Sequence, residues 1–341
     1  MNDFRVAFFA MVTAMVVAMT LIMLLAKPAR VLAVEIEKYP VLVELVEQMT
    51  AEDGYPKDEL NRVLEQATIQ QNTIDLMNRQ HESLPWHRYR KIFLSQSRIK
   101  HGVRFWNENQ LALARARQKF GVPQAVITAL IGIETNYGAR LGNNSVLDSL
   151  VTLSAQYPRR SAFFTAELRT FLNITRTEGI DPATVLGSFA GAIGIPQFMP
   201  SSYAAYSVDF NGNNQRDLVN EIDDAIGSVA NYLKAHGWNR AQRIYARVTE
   251  PLSASAAKLV GGNAKLVHTP QQLAAAGVTF DADRGGGQMA LISLQERAGK
   301  RYIVGFGNFY AITRYNPSVN YAMAVTELAD AIAEARDDDN D

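Results

Sequence analysis

The sequence predicts an α+β protein, mainly helical, with a small β-sheet module late in the chain. Three observations carry this. Apolar residues recur at helical spacing through most of residues 35–119. Residues Pro123–Thr135 are almost continuously apolar, as in a buried helix. After Asn239 the composition shifts, and short β-like runs at Arg243–Val248, Met289–Leu294 and Arg301–Val304 stand between Gly- and Ser-rich connections.

The elements follow in order. Arg5 precedes an apolar run from Val6 to Ala26, closed by Lys27 and Arg30, with Ala33 as a candidate cleavage point. This is the layout of an export signal, and the run is also long enough to anchor the chain in a bilayer. No polar face interrupts it, which argues against a core helix. Signal and anchor both stay open, and either places the rest of the chain outside the cytoplasm. Val41, Leu42, Leu45 and Val46 sit at helical spacing, and Asp58–Gln71 repeats the period. Leu84-Pro85-Trp86-His87 breaks it, and Ser95–Phe120 resumes it. The buried helix from Pro123 has proline in its first turn. A further helix, Arg160–Glu178, follows the Tyr157-Pro158 break. Next come a Gly-rich segment, Gly187–Gly194, a polar loop, Asp209–Asp217, and a helix over Asp223–His236. Helix returns at Ala322–Ala335, before an acidic tail, and no internal repeat is evident.

The 341 residues suffice for two or three domains with a sizeable core. Lys plus Arg and Asp plus Glu both number 34, which argues against an electrostatically driven nucleic-acid partner. Cysteine is absent, excluding disulfides, zinc–cysteine and iron–sulfur centres, thiol catalysis and lipid attachment through an N-terminal cysteine.

Glu134 is the residue out of place. On a helix it shares a face with Ile131, Leu130 and Ile127, so its carboxylate points at apolar surroundings. It also lies in the last turn before Tyr137-Gly138, where the helix dipole disfavours negative charge. Desolvation and dipole both favour the protonated acid near neutral pH, as a general acid at a glycosidic oxygen requires. The alternative is a buried glutamate paired with Arg140 or Arg159.

The segment around Glu134, with Tyr157-Pro158-Arg159-Arg160, Gly187-Ser188-Phe189-Ala190-Gly191-Ala192, Gln197-Phe198-Met199-Pro200-Ser201-Ser202-Tyr203, Asn308-Phe309-Tyr310 and Tyr321-Ala322-Met323, resembles the lytic murein transglycosylase B family. The resemblance runs from about Pro85 to Ile332. It implies a lysozyme-like core, an N-terminal helical domain and a small β domain. The chain then divides into a signal or anchor (1–33), a helical domain (34–120), a catalytic core (121–240), a β domain (241–304) and a return to the core with a C-terminal helix (305–341).

The resemblance makes Glu134 the catalytic residue. It places Ser188 and Gln197 against sugar N-acetyl and hydroxyl groups, Tyr232, Tyr315 and Tyr321 around the catalytic subsite, and Arg159 and Arg160 at a peptide or lactyl carboxylate. Read alone, the tyrosines could be core and Ser188 could serve a tight turn. Ile195-Pro196 stands where the family often has an aromatic residue and glycine, which puts substrate contacts there in doubt. The implied partner is the peptidoglycan glycan strand, with cell-wall synthesis proteins as further candidates and the periplasm or inner membrane as the location.

A hydrolase would need a second carboxylate. Glu167 and Glu178 read as solvated helix-surface residues, so none is an obvious partner for Glu134. The family's reaction needs only one: the acid that protonates the muramyl–glucosaminyl bond then deprotonates the muramyl C6 hydroxyl, giving a 1,6-anhydro product without a catalytic cofactor. A muramidase and a non-catalytic wall-binding protein are the rival readings.

Asp209, Asn211 and Asn213, with the backbone carbonyl of Gln215, open like a calcium-binding EF-hand loop. Asn214 replaces the turn glycine, and Asn220 stands at the twelfth position. The resemblance implies a longer loop closed by Asp224 and a structural calcium ion. An Asx-rich turn capping the next helix is the alternative.

Overall fold

The computed structural model describes residues 34–78, 84–249, 251–281, 283 and 285–338. The export signal or anchor expected over residues 1–33 lies outside them. Among the described residues no helix is long and apolar enough to cross a membrane.

Six helices precede the central one: α1 (Pro40–Glu52), α2 (Lys57–Leu64), α3 (Gln71–Asn78), α4 (Trp86–Phe93), α5 (Gln96–Glu108) and α6 (Gln110–Phe120). The expected helix over Ser95–Phe120 is thus two, divided at Asn109, whose amide side chain donates to the Phe105 carbonyl at 2.8 Å. Gly121, at φ 79°, ends α6, and Pro123 opens α7 (Gln124–Thr135) from its cap position. Helix α7 is buried on all sides, packed by α5, α6 and the later helices α11 (Ile222–Ala235) and α15 (Val319–Asp338). An apolar run without a polar face is what such a position demands.

Between α7 and α11 lie β1 (Asn144–Ser145), α8 (Val146–Gln156), α9 (Ser161–Glu178), β2 (Leu186–Gly187) and α10 (Pro200–Tyr206). Strands β1 and β2 pair antiparallel, and bridges from Gly187 to Ile193 and from Ile193 to Phe198 extend the ribbon. Gly142 faces this ribbon at φ 93°, where a Cβ would meet the Gly187 carbonyl at 2.1 Å, so only glycine fits.

The β-like runs form one antiparallel sheet in the order β3 (Tyr245–Arg247), β5 (Gly299–Gly305), β4 (Ala290–Glu296). Both its faces are apolar, by alternation along the strands. Ala290, Ile292, Leu294 and Ile303 join the main core, whereas Met289, Leu291 and Val304 form a second core with Leu273 of α13 (Pro270–Ala275) and Ala256 of α12 (Ala254–Ala257). A helix absent from the sequence expectation, α14 (Gly307–Tyr315), returns the chain to the main body ahead of α15.

Candidate active site

Every residue from Val126 to Thr135 is buried except Glu134, which alone keeps an opening to solvent. Helix α7 stops one residue later because Asn136, Tyr137 and Gly138 all take positive φ, at 51°, 63° and 84°. Asparagine and glycine adopt this region readily, while for tyrosine it costs about 1–2 kcal/mol. Packing holds Tyr137 there. Its hydroxyl donates to the Arg98 carbonyl at 2.8 Å, and its ring folds back over Gly132, where a Cβ would lie 2.6 Å from the ring. The Arg98 guanidinium donates to the Gly132 carbonyl, setting a cation at the negative end of the helix. Thr135 donates to the Ile195 carbonyl at 2.9 Å, tying this helix end to the Gly194–Gln197 segment.

The Tyr321 hydroxyl, from the first turn of α15, donates to Oε1 of Glu134. Neither Arg140 nor Arg159 forms an ion pair with it among the described residues. Burial raises the Glu134 carboxyl from its ordinary 4.5 to about 7, and the Tyr321 hydrogen bond opposes that rise. The phenols of Tyr89, Tyr315 and Tyr321 are all shifted upward, first by burial and then by the charge of Glu134, so they stay protonated. Tyr89, on α4, is a neighbour the sequence reading passed over. The Leu84-Pro85 break just before it marked a boundary, but nothing in its own spacing singled it out.

The family described as Transglycosylase SLT domain matches residues 38–330. The chain is 42% identical over 308 residues to the membrane-bound lytic murein transglycosylase B of Escherichia coli K12, spanning 87% of this chain and 84% of that protein. It belongs to the lytic murein transglycosylase B family. Two solved structures agree in fold. The soluble lytic transglycosylase SltB1 of Pseudomonas aeruginosa matches with a TM-score of 0.83 at 40% identity, over 87% of this chain and 99% of that one. The Escherichia coli lytic transglycosylase Slt35 in complex with calcium matches with a TM-score of 0.81 at 40% identity, over 91% and 98%.

In this lytic transglycosylase the expected site residues fall into groups. Tyr321 reaches Glu134 directly. The rings of Tyr315 and Tyr232 pack at a tilt of 60° with centroids 4.8 Å apart, but their hydroxyls donate to the Pro196 and Arg314 carbonyls, each at 2.6 Å. Their polar tips are therefore engaged with backbone. Gln197 sits at φ 51°, its amide donating to the Leu141 and Gly194 carbonyls at 2.9 and 3.0 Å, which leaves its side-chain oxygen for other partners. The Ser188 hydroxyl accepts from the amides of Ala190 and Ala192, within the turn that follows β2. Arg159 and Arg160 are exposed before α9, with Arg160 lying 4.1 Å over the Phe163 ring.

The expectation for Glu167 and Glu178 is corrected. Glu167 is 3% exposed and accepts from the Ser201 amide and hydroxyl at 2.8 and 2.6 Å, capping α10. Glu178 pairs with Arg216 at 2.5 Å and accepts from Tyr203 at 3.2 Å. Both carboxylates are committed to structure.

The Asp209 loop turns on its own side chains. Asp209 accepts from the amides of Gly212, Asn213 and Asn214, while Asn211 and Asn213 each cap the amide two residues on. Asn214 takes the left-handed position, at φ 66°. Asp224 is fully buried and bonded by the amides of Phe210, Asn211 and Asp217, with no cation beside it among the described residues. Asn220 instead bonds back to Asp217. Among the described residues no cluster of three or more His, Cys, Asp or Glu could hold a metal, so any ion here would rely on amide and backbone oxygens beside Asp209 and Asp224. That donor set is all hard oxygen, the kind calcium takes.

Proposed function

We propose that this enzyme cleaves the β-1,4 bond from N-acetylmuramic acid to N-acetylglucosamine in peptidoglycan and closes a 1,6-anhydro ring on the muramyl product. Glu134 serves as its single acid and base. The observation that carries the reading is one carboxyl, lifted to about 7 by burial on a residue that keeps partial exposure, with Tyr321 as its only side-chain hydrogen-bond partner among the described residues. A value near neutrality lets one group give and then take a proton. Protonated Glu134 donates to the glycosidic oxygen, which leaves with the glucosaminyl unit, and the muramyl N-acetyl group stabilises the developing cation. The resulting carboxylate takes the proton of the C6 hydroxyl as O6 bonds to C1. Glu134 ends protonated and no water is consumed.

Within this reading, Ser188, Gln197, Tyr232, Tyr315 and Tyr321 line the sugar subsites, and Arg159 and Arg160 meet carboxylates of the strand. Calcium at Asp209, Asn211, Asn213, Gln215 and Asp224 is structural and stands outside the proton steps. The glycan strand sets the working place in the cell envelope. Digestion of purified sacculi, read by mass, tests the proposal. Muropeptides lighter by one water than hydrolysis products and lacking a new reducing end are expected. Reducing-end fragments would turn the reading to a muramidase.

A further inference from the structure

Arg98, on α5, is a half-buried cation that no carboxylate balances. Among the described residues the ionisable groups that act on it are the Tyr137 phenol and the Arg140 guanidinium. Taking a guanidinium out of water is costly unless something compensates. Here the stop of α7 does so. The Arg98 guanidinium donates to the Gly132 carbonyl, which also accepts the Asn136 amide at 3.1 Å. The Arg98 backbone carbonyl in turn accepts from the Tyr137 hydroxyl at 2.8 Å. One residue therefore grips α7 at positions 132 and 137, and Glu134 lies between them. The grip is tight. A Cβ on Gly102, one turn along α5, would lie 2.7 Å from the Tyr137 hydroxyl oxygen, and one on Gly132 would lie 2.6 Å from the Tyr137 ring. The Phe105 ring, 5.6 Å from that of Tyr137, closes the third side.

The same guanidinium braces a second element. It stands 5.4 Å over the Phe93 ring of α4, and Phe93 packs 5.3 Å from Tyr89, the phenol of that helix on which the Glu134 charge acts. We propose that Arg98 is a positioning residue for the acid, holding the end of α7 and the Tyr89 side of the site so that the Glu134 carboxyl stays withdrawn from bulk water. The inference rests on the proposed role of Glu134 and names what keeps that group in place. Withdrawal matters because burial is the first cause of the value of about 7. A looser helix end admits water and lets the carboxyl fall back toward its ordinary 4.5. Other causes do not compete. Tyr89 of α4, Tyr315 of α14 and Tyr321 of α15 are protonated phenols, and among the described residues no group of α6 or α11 shifts Glu134. Neither Arg98 nor Arg140 is among the groups that shift it, so Arg98 acts through the backbone and rings it holds.

Arg98→Gln and Tyr137→Phe each open the clasp, the second without removing a charge. In the full chain carrying carbon-13-labelled glutamate, the Glu134 carboxyl is titrated by NMR, its signal being the one that Glu134→Gln deletes. Turnover on purified sacculi is followed over the same pH range. Both variants should lower the titration midpoint, Arg98→Gln by about one unit, and the alkaline limb of kcat should move down with it. In Arg98→Gln kcat should fall about tenfold, with KM unchanged. Tyr137→Phe keeps the test intact if Arg98→Gln does not fold. Unmoved midpoints would leave Arg98 a purely structural residue. A rise in Arg98→Gln alone would make it a charge acting on the carboxyl, and a higher KM with kcat retained would make it a substrate contact. Each of these overturns the proposal. The titration needs no substrate, so wild-type turnover by Glu134→Gln would remove the proposed function while the midpoints still report on the clasp.

Discussion

The Tyr321 hydroxyl donates to Glu134 Oε1 across the junction of α7 and α15, and it works against the burial that lifts this carboxyl to about 7. The donor stabilises the charged form of Glu134, the species that must later act as base. Among the described residues neither Tyr315 nor Tyr89 hydrogen-bonds to it, yet the carboxylate's charge pushes up both phenols.

Tyr321→Phe should therefore raise the Glu134 pKa further. The acid is active when protonated, so the alkaline limb of kcat/KM should move upward, by about one pH unit for a lost charge-assisted hydrogen bond. Turnover should drop about tenfold as the base form loses its support. A pH–rate profile of the variant measures both, and an unmoved limb would separate Tyr321 from the acid.

Glu134→Gln should abolish turnover, because the amide has almost the same shape but cannot exchange the proton. It should also change stability in a pH-dependent way. The folded-state value, about 7, lies above the ordinary 4.5, so the native chain holds a proton that the unfolded chain releases between these limits. Wild-type stability falls across that window, by up to about 3 kcal/mol, and the loss is complete above it. The variant escapes this loss. Denaturant melts at pH 4 and pH 8 should show the variant matching wild type at the lower pH and exceeding it at the higher one.

Much of this site was legible because burial has a sequence signature. An acid interrupting Ala129–Ile133 at the end of a helix is visible without coordinates, and so are the proline breaks at Pro85 and Pro158. The same periodicity could have exposed Glu167, which lies three residues after Phe164 and four before Phe171, on the buried face of α9. Charged residues on the same helix, Arg169 and Arg176, mask that face by giving the segment a surface-like pattern. Other features are tertiary. Tyr89 approaches Glu134 from α4, 45 positions earlier in the chain, and α14 is a nine-residue helix whose amphipathic pattern is short. The strain at Tyr137 is written only in the close approach of its ring to Gly132.

Glu167→Ala should destabilise without touching the proton steps directly. It removes the acceptor of the Ser201 amide and hydroxyl, a loss of about 0.5–2 kcal/mol for a helix cap, at a helix that begins three residues after Gln197. A lower melting temperature is expected at every pH between 5 and 9, in contrast to the pH-dependent effect at Glu134. A melting temperature equal to wild type would show that water replaces the cap.

Calcium gives the last prediction. The loop offers two carboxylates, Asp209 and Asp224, among amide and carbonyl oxygens, so its charge is low for a calcium site and its affinity should be modest. An ion that binds only the folded chain stabilises it by about 2.7 kcal/mol when present at a hundred times its dissociation constant. The melting temperature should thus climb with calcium and return on chelation. Asp209→Ala removes one carboxylate and the acceptor of three loop amides, so it should lower the melting temperature even in chelator and flatten the calcium response. Asn220→Ala, outside the donor set, should leave the response intact. Identical melts of the wild-type chain in chelator and in millimolar calcium would leave the loop as a self-capped Asx turn, with Asp224 serving only the amides of Phe210, Asn211 and Asp217.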